Sequence, residues 1–366
     1  MNFRLDIWDR NGIKKDEVSD FVDDLSSVIS VNSFGTLTFI LPENHKVLAY
    51  LAEDYRVELY YRYSGRSWTR FFGGLVTTIQ NEKQLAGKTE IICYGYELFL
   101  TRRVIAYYAE TSNKTKFIGQ KSETILKSLV QYNITSDATV ANGRFRDGTS
   151  YPANIISVEA DGAGGLTRNF YCAHELLLTA MQNICKIGGG DFSISRIDDN
   201  EFQVKWHENQ LGTDRRTSII FSLGRANMAN PRYTKDIFPE KTVAIVGGQG
   251  EKSARDIFVK TASSLSTYND VEFFTDATDV EYGDTTGLED AGVRKLEETK
   301  AVESFSFDVL QAESTRFGVD YYLGDIVTAI NPYNNLSIIQ KVKSVGLELR
   351  QNGEYRFDVE LELFDG

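Results

Sequence analysis

The residue types that most often catalyse reactions are few in this chain, and none stands at a catalytic spacing. The only histidines among the 366 residues are His45, His174 and His207. No two of them show the His-Glu-x-x-His spacing that places two imidazoles on one helix face for zinc. We therefore predict no catalytic residue and no metal site, and we interpret His174, at a predicted helix start, as a surface or capping residue.

One glycine-rich segment has part of the pattern of a phosphate-binding loop. Residues 247–253 read GGQGEKS and end in the Lys-Ser pair of such loops. A phosphate-binding loop also requires Gly directly before that Lys, a second Gly five residues earlier, and a helix afterwards. Here a strand-like segment follows, so the pattern favours a hairpin turn and no cofactor is expected. The structural turn residues predicted in this segment are Gly247, Gly248 and Gly250.

The acidic segment 270–284 carries six carboxylates that could hold a cation. Their spacing is not that of a calcium-binding loop, so we expect a solvated loop. A pair of carboxylates that cleaves a glycosidic bond stays open, because no spacing marks any two of the 52 acidic residues.

The overall charge argues against a tight grip on nucleic acid. With 40 Lys and Arg against 52 Asp and Glu, the net charge is −12, which repels phosphates. An acidic pore would instead let DNA slide through without sticking. No signal peptide and no run of roughly 18 apolar residues is present, so we expect a soluble chain with no membrane segment, made in the cytosol. The cysteines, which we expect to be buried small hydrophobes, are Cys93, Cys172 and Cys185.

The elements that would position any site are mainly strands. Residues 338–349 and 355–364 alternate apolar and polar side chains around an Asn-Gly turn, the strongest short-range hairpin signal. A weaker copy of this arrangement occupies residues 54–92. Two similar β units at opposite ends of a chain suggest a scaffold instead of an active-site cleft. The structural turns predicted in the C-terminal unit are Gly324, Asp325, Asn352 and Gly353.

The order of elements predicts the fold class, which is mainly β with an α+β insertion. A chain of this length exceeds what one hydrophobic core usually serves. We predict two antiparallel β-barrel or sandwich domains separated by a small α+β domain, with a helix in the second barrel capped by Thr286 and Glu289. The predicted units are 1–110 plus about 213–240 for the first barrel, 111–212 for the insertion, and 241–366 for the second barrel.

The aromatic side chains of the 54–76 hairpin point to both of its faces, so only half of them can face one core. Two interpretations are open. Either the hairpin is buried on both sides within its domain, or its second face packs against a neighbouring subunit, since aromatic residues are enriched at interface cores. The candidate intersubunit residues are Tyr60, Tyr61, Trp68, Phe71 and Phe72.

Several short motifs resemble a recurring element of the tail-tip and baseplate hub proteins of long-tailed phages, including siphophage tail proteins. The resemblance is clearest over residues 240–366 and fainter over the first 110, where Phe34-Gly35 and residues 72–74 carry it. The C-terminal motifs are residues 243–251 with Arg255 following, 271–277, and 318–327.

The resemblance implies a fold and an assembly. In that family two tail-tube-like β-barrels in one chain flank an insertion, and three subunits present six barrels in a ring that docks a trimeric spike on a sixfold tube. The implied partners are further copies of the chain, the tail tube or distal tail protein, the spike or tip protein, and the tape-measure protein. The implied location is the virion tail tip or baseplate, after assembly in the host cytoplasm.

Three functions follow as hypotheses. The first is a structural hub that forms a trimeric ring, joins tube to tip and lets DNA pass. The second is a receptor- or carbohydrate-binding tail protein, suggested by the aromatic content and the long loop 133–169. The third is a tail-associated peptidoglycan hydrolase with an unmarked carboxylate pair in the insertion. We expect the chain not to be an enzyme, because its sequence marks no catalytic set.

Overall fold

The computed structural model describes residues 1–19, 25–82, 87–107, 114–350 and 353–364. Within these ranges the chain is mainly β with few helices, so the predicted fold class is confirmed. The predicted turn residue Asn352 lies outside the described residues. No helix in the described ranges has the length and apolar character needed to cross a membrane.

Several N-terminal strands follow the expected two-residue alternation of buried and more exposed side chains. In the fourth strand, Leu37, Phe39 and Leu41 face the core while their neighbours are half-buried. The strands are β1 (Asn2–Trp8), β2 (Lys14–Val18), β3 (Leu25–Ser30), β4 (Thr36–Pro42), β5 (Arg56–Arg62), β6 (Thr69–Glu82) and β7 (Lys88–Gly95).

The insertion has its own core, in which two helices pack on each other and on a three-stranded sheet. Its second long helix ends at Gly189, whose φ of +70° makes the left-handed cap that the glycine run predicts. The elements are α1 (Leu98–Thr101), β8 (Lys116–Lys121), α2 (Ser122–Ile134), β9 (Ile156–Val158), β10 (Thr167–Tyr171), α3 (Leu177–Gly188), β11 (Gly190–Asp198) and β12 (Glu201–Glu208).

The C-terminal part contains the predicted closing hairpin and one helix. The elements are β13 (Ile220–Phe221), β14 (Met228–Asp236), β15 (Val243–Gly247), β16 (Ile257–Thr261), β17 (Glu272–Asp276), α4 (Thr285–Glu298), β18 (Val302–Val309), β19 (Ile326–Ile330), β20 (Ser337–Leu349) and β21 (Tyr355–Leu363).

One continuous sheet joins the two ends of the chain. Its strand order is β13-β19-β20-β3-β4-β7-β6-β5-β1-β2, and β21 pairs with the other edge of β20. The link between the ends is β20, where Ser344 to Leu349 run antiparallel to Ser30 to Leu25. Strand pairing therefore attaches the closing hairpin directly to the N-terminal strands.

The sheet curves back on itself around a shared core. Phe357 of β21 lies 6.0 Å, ring centroid to centroid, from Phe71 of β6, although four strands separate the two in the sheet. Tyr355 likewise packs on Phe3 of β1 at 5.8 Å. The core around Phe71 and Phe357 combines residues from both ends of the chain, so neither end can bury its apolar face without the other.

Residues 243–298 form a separate layer, which we call the small unit. Its sheet has the order β16-β15-β17, and α4 covers one face of it. The cap of α4 differs from the prediction. Asp284, not Thr286, accepts a hydrogen bond from the amide of Gly287, because the helix begins two residues earlier than the Thr-x-x-Glu pattern indicates.

The three-unit division of the chain stays a prediction, but two of its assignments differ from the observed strand pairing. Ile220 and Phe221, assigned to the first barrel, pair in parallel with β19 of the C-terminal part. The strands of the small unit, assigned to the second barrel, form a sheet of their own. A two-residue period marks a strand but not its partner, so pairing could not be predicted from the pattern alone.

Candidate functional site

The described residues contain no group of three or more His, Cys, Asp or Glu side chains that could hold a metal ion. Two of the histidines, His45 and His174, lie in loops shortly before helical segments. The ring of His45 accepts a hydrogen bond from the amide of Val47 and so caps a short 3-10 turn. His174 is exposed, has a φ of +59°, and lies before α3 instead of inside it.

The third histidine, His207, forms an arrangement that approaches a catalytic pair. The hydroxyl of Ser193 lies 2.8 Å from Nε2 of His207, and burial lowers the pKa of this imidazole. A hydrolytic triad also needs a carboxylate that orients the ring. The cross-strand neighbour Asp191 accepts its hydrogen bonds from Asn32, Lys341 and the Leu211 amide, so no triad is completed by these contacts.

The hairpin of β5 and β6 places the five candidate interface aromatics in two environments. Tyr61, Phe71 and Phe72 are buried in the shared core of their own chain. This corrects the interface prediction for these three, because a side chain that its own chain covers has no surface left for a neighbour. Tyr60 and Trp68 are only half-buried and remain the candidates for contact with another subunit.

The outer face of this hairpin is rich in cations stacked on aromatic rings. The guanidinium groups of Arg4 and Arg62 lie 4.9 and 4.6 Å from the ring centroid of Trp68. Arg4 also lies 5.1 Å from the ring of Tyr60. Cation–π contacts of this kind hold long side chains against the sheet, so Arg4 and Arg62 are held in place on this face.

A buried carboxylate joins the hairpin to the insertion. Glu58 of β5 is fully buried and receives two hydrogen bonds from the guanidinium of Arg196, at 3.0 and 2.9 Å. Arg70, Tyr60 and Tyr96 also donate to it, at 3.0, 2.7 and 2.9 Å. Burial alone would raise the pKa of this carboxyl, but Arg70, Arg196 and Tyr60 together lower it. The ionised network fixes β11 of the insertion against the main sheet.

A second joint involves Asp191, which is buried at the start of β11. Its carboxylate lies 2.7 Å from the ammonium of Lys341 in β20 and accepts from the side chain of Asn32 at 2.7 Å. The amide of Leu211 donates to it at 2.7 Å. The insertion is therefore tied to both ends of the chain, through the turn that contains Asn32 and through the closing hairpin.

The corner predicted at Gly324 and Asp325 is the third joint. Gly324 has a φ of +82°, and a Cβ there would lie 2.7 Å from the amide nitrogen of Gly212. The buried Asp325 carboxylate accepts from the Thr213 amide and the Arg215 guanidinium, each at 2.6 Å. The corner thus connects β19 to the segment that leaves the insertion.

The glycine-rich segment after β15 is a turn between antiparallel strands. Gly247 ends β15 and pairs with Ile257, and Gly250 has a φ of +100°. Gly248 packs on α4, since a Cβ there would lie 3.0 Å from a methyl carbon of Leu288. The guanidinium of Arg255 donates to the carbonyls of Gly247 and Gly248. The loop is therefore closed by its own chain.

A cavity of about 330 Å³ opens beside Trp68, and a smaller one of about 160 Å³ lies at the seam between main sheet and insertion. Glu97 lines the smaller cavity together with Arg70 and Ser193. Burial raises the pKa of the Glu97 carboxyl to about 7, although its own backbone amide and Arg70 lower it in part. This is the kind of group that changes charge near neutral pH.

Sequence reasoning did not find Glu58 and Asp191. A signal for Glu58 was present, because Arg56 and Glu58 alternate with Val57 and Leu59 in a strand whose apolar side faces the core. Alternation of this kind normally means solvent on the polar side. Here the insertion covers the polar side of β5, through Arg196. A contact between residues so far apart in sequence is visible only in the tertiary structure.

The whole chain shares its fold with solved phage tail proteins. The tail protein from Neisseria meningitidis MC58 superposes with a TM-score of 0.58 at 11% identity, covering 100% of this chain and 98% of that chain. The 43 kDa tail protein of prophage MuSo2 from Shewanella oneidensis also gives 0.58 at 11% identity, covering 99% and 98%. The Francisella PdpA-VgrG complex gives 0.52 at 8% identity, covering 100% of this chain and 58% of that chain. The fold is that of phage tail proteins.

The chain belongs to the family of Siphovirus ReqiPepy6 Gp37-like proteins, whose model matches residues 4–361. A comparison with curated protein sequences gave no match. Family and fold together class the chain with phage tail proteins and support a structural role in the tail, so the resemblance drawn from its motifs is confirmed. The buried charges of Glu58 and Asp191 hold the insertion against the main sheet, and a structural protein needs such rigid connections.

Proposed function

We propose that the chain is the structural hub of a phage tail tip or baseplate. In this proposal three copies form a ring with pseudo-sixfold symmetry that joins the tail tube to the central spike or tip. The observation that carries the proposal is the continuous sheet in which the N-terminal strands and the closing hairpin surround one core. Such a sheet presents two β units from each chain in a fixed relative orientation.

Rigidity is what a connector between two tail components requires. The Glu58 and Asp191 joints tie the insertion to the main sheet through buried, hydrogen-bonded charges. Breaking a buried pair by removing one partner is strongly destabilising, so these contacts resist relative motion of the units. In the proposed hub, force applied at the spike passes to the tube through a single stiff subunit.

The proposed partners are further copies of the chain, the tail tube or distal tail protein, the spike or tip protein, and the tape-measure protein. DNA passes through the ring without specific binding, which the net charge of −12 favours because an acidic wall repels phosphates. The proposed location is the tail tip of the virion, after assembly in the host cytoplasm.

The test is the solution mass of the purified chain by light scattering over a concentration series. A mass near three times 41.3 kDa is expected. Cryo-electron microscopy of purified tails then checks position, with density for three copies expected at the tip. A chain that stays monomeric in solution and is absent from the tip of assembled tails contradicts the hub.

A receptor- or carbohydrate-binding tail protein is the second candidate. The observation that favours it is a set of strongly exposed aromatic rings, since sugars stack on such rings: Phe238, Tyr268 and Tyr282. Sedimentation of the purified chain with host cell walls tests it, with loss of binding expected in a Tyr268→Ala variant. A zymogram of the same protein tests the hydrolase hypothesis, for which a blank gel is expected.

A further inference from the structure

The small unit leaves one face of its sheet without cover. On the covered face, Ala244 and Val246 are fully buried beneath α4. On the other face, Ile257, Val259 and Phe274 are 53%, 54% and 50% exposed. Val259 and Phe274 stand directly opposite Ile245 on its two sides in the strand register. We call this apolar row, with Ile257, the open face.

A second apolar feature projects elsewhere from the same chain. β14 pairs with β18, whose Phe305 and Phe307 lie in the shared core. The outer end of this pair, which we call the arm, leads into a turn that carries Ile237 and Phe238. Phe238 is 91% exposed. The turn is ordered, because the amide of Phe238 donates to the carboxylate of Asp236 at 2.9 Å and the amide of Glu240 donates to the carbonyl of Ile237 at 3.1 Å.

Each feature has an exposed charged residue beside it, and these two residues are of opposite sign, while the exposed carboxylate of Asp236 also lies on the arm. Lys235 stands three residues before Phe238 on the arm, and it is exposed. Glu272 lies on the open face, two residues before Phe274 in β17, and it is exposed as well. Neither of them forms an ion pair within the described part of the chain. Arg255, by contrast, stacks on Phe274 and forms an ion pair with Asp276, so its charge is already neutralised within the chain.

From this complementarity we infer that the open face binds the arm of a second copy of this chain, with Phe238 seated between Val259 and Phe274 and Lys235 paired with Glu272. The inference rests on the proposed ring and names one of its contacts. An aromatic side chain buries about 150–250 Å², so the exposed Phe238 acts as the anchor of the contact.

The contact is heterologous, because the arm and the open face are different surfaces of one chain. A heterologous contact that repeats produces a closed ring when its rotation closes. Each copy then offers its arm to one neighbour and its open face to the other. Net repulsion between chains of charge −12 opposes association, which is why a local pair of opposite charge matters for the orientation of the copies.

Two substitutions to a charged residue test the apolar part of the contact by light scattering. Phe238→Asp and Val259→Asp should each lower the fraction of trimer at a fixed concentration at least tenfold, because a buried unpaired charge is costly. Ile13→Asp is the matched control, since Ile13 is an exposed apolar residue in the turn between β1 and β2. It should leave the mass unchanged, and circular dichroism should show all three variants folded.

A charge exchange tests the orientation. Lys235→Glu and Glu272→Lys should each weaken assembly, and the double variant should restore it towards the wild-type level. Mixing a Phe238→Cys chain with a Val259→Cys chain should give a disulfide-linked dimer on a non-reducing gel. Neither chain alone should cross-link, because the arm meets the open face and not another arm.

The outcomes separate this contact from the hub itself. Wild-type trimers that persist in both Asp variants, with no cross-link in the mixture, overturn the inferred contact and leave the proposed ring standing. A wild-type chain that is monomeric at every concentration, gives no cross-link and is absent from the tip of assembled tails overturns both. Loss of trimer in the variants without rescue by the charge exchange contradicts the Lys235 to Glu272 pairing and with it the inferred orientation.

Discussion

At the scale of single residues, a few buried charges have partners that lie far away in sequence. Glu58 reaches Arg196 across 138 positions of sequence, and their two hydrogen bonds join β5 to β11. The carboxylate is fully buried, whereas Arg196 and Arg70 keep partial contact with water. Removal of this carboxylate therefore leaves Arg70 and Arg196 without their buried partner. Their partial exposure to water lowers the desolvation cost but does not abolish it.

We expect Glu58→Gln to lower the free energy of unfolding by about 3 kcal/mol, the lower end for a broken buried pair. Urea denaturation followed by fluorescence measures it. Because the folded-state pKa of Glu58 lies below its ordinary value, this contribution is present at neutral pH and is lost as the pH falls through the acidic range. Arg216→Ala is the control, since Arg216 and Asp214 form an exposed pair, and it should change little.

Glu97 should give a pH dependence of the opposite sign. Its folded-state pKa is raised to about 7 by burial, so the folded chain holds this proton more tightly than the unfolded chain does. Stability is then highest below the unfolded pKa of about 4.3 and falls as the pH rises towards 7.

The variant Glu97→Gln should remove this dependence. We expect the wild-type chain to lose stability between pH 5 and pH 8 relative to Glu97→Gln, measured by urea denaturation at each pH. The exposed Glu201, replaced by Gln, is the control and should follow the wild type. Parallel pH profiles for wild type and Glu97→Gln would show that this carboxyl titrates normally.

At the scale of elements, the turns at Gly324 and Gly353 connect strands and require particular backbone angles. Gly324 and Gly353 have nearly the same backbone angle, with φ of +82° and +80°. Their surroundings differ, because a Cβ at Gly324 would lie 2.7 Å from the Gly212 nitrogen, whereas nothing lies within 4 Å at Gly353. The two positions therefore separate backbone strain from steric exclusion.

We predict that Gly353→Ala lowers the free energy of unfolding by about 1 kcal/mol, the cost of a positive φ for a residue with a Cβ. Gly324→Ala should cost about 3 kcal/mol, since the strain is joined by a clash with backbone. Thermal unfolding of the two variants side by side measures the difference. Equal losses would mean that the segment around Gly212 moves aside without cost.

At the scale of the whole molecule, the two ends of the chain are one folding unit and the small unit is an addition to it. β20 supplies the partner of β3, and Phe357 fills the core between the N-terminal strands. The small unit, by contrast, leaves and rejoins the fold at neighbouring points, because Asp236 pairs with Val302.

Deletion of residues 337–366 should therefore yield aggregated protein without a cooperative transition. Replacement of residues 238–300 by a short turn should yield a folded chain with a sharp transition, somewhat less stable because Tyr171 loses its contact with Asp284. Size-exclusion chromatography and thermal unfolding distinguish the two. A soluble, cooperative 1–336 fragment would show that the N-terminal strands fold without their C-terminal partner.

The sequence alone determined the local elements of this protein. The period of two in residues 338–364, the apolar stripe of α2, and the glycines after α3 each depend on neighbours in the chain. The family resemblance was carried by short motifs in the same way. The local pattern also argued against a phosphate-binding loop, because Glu251 stands directly before Lys252 where such a loop requires Gly.

Only the tertiary structure decided which strands meet and which faces are covered. It joined β20 to β3, buried Phe71 and Phe72 in their own chain, and covered the polar side of β5 with the insertion. The reason is physical: a strand has the same alternation whatever its partner is, and the environment of a side chain depends on residues a hundred or more positions away. Burial, and the charge networks it permits, is a property of the assembled fold.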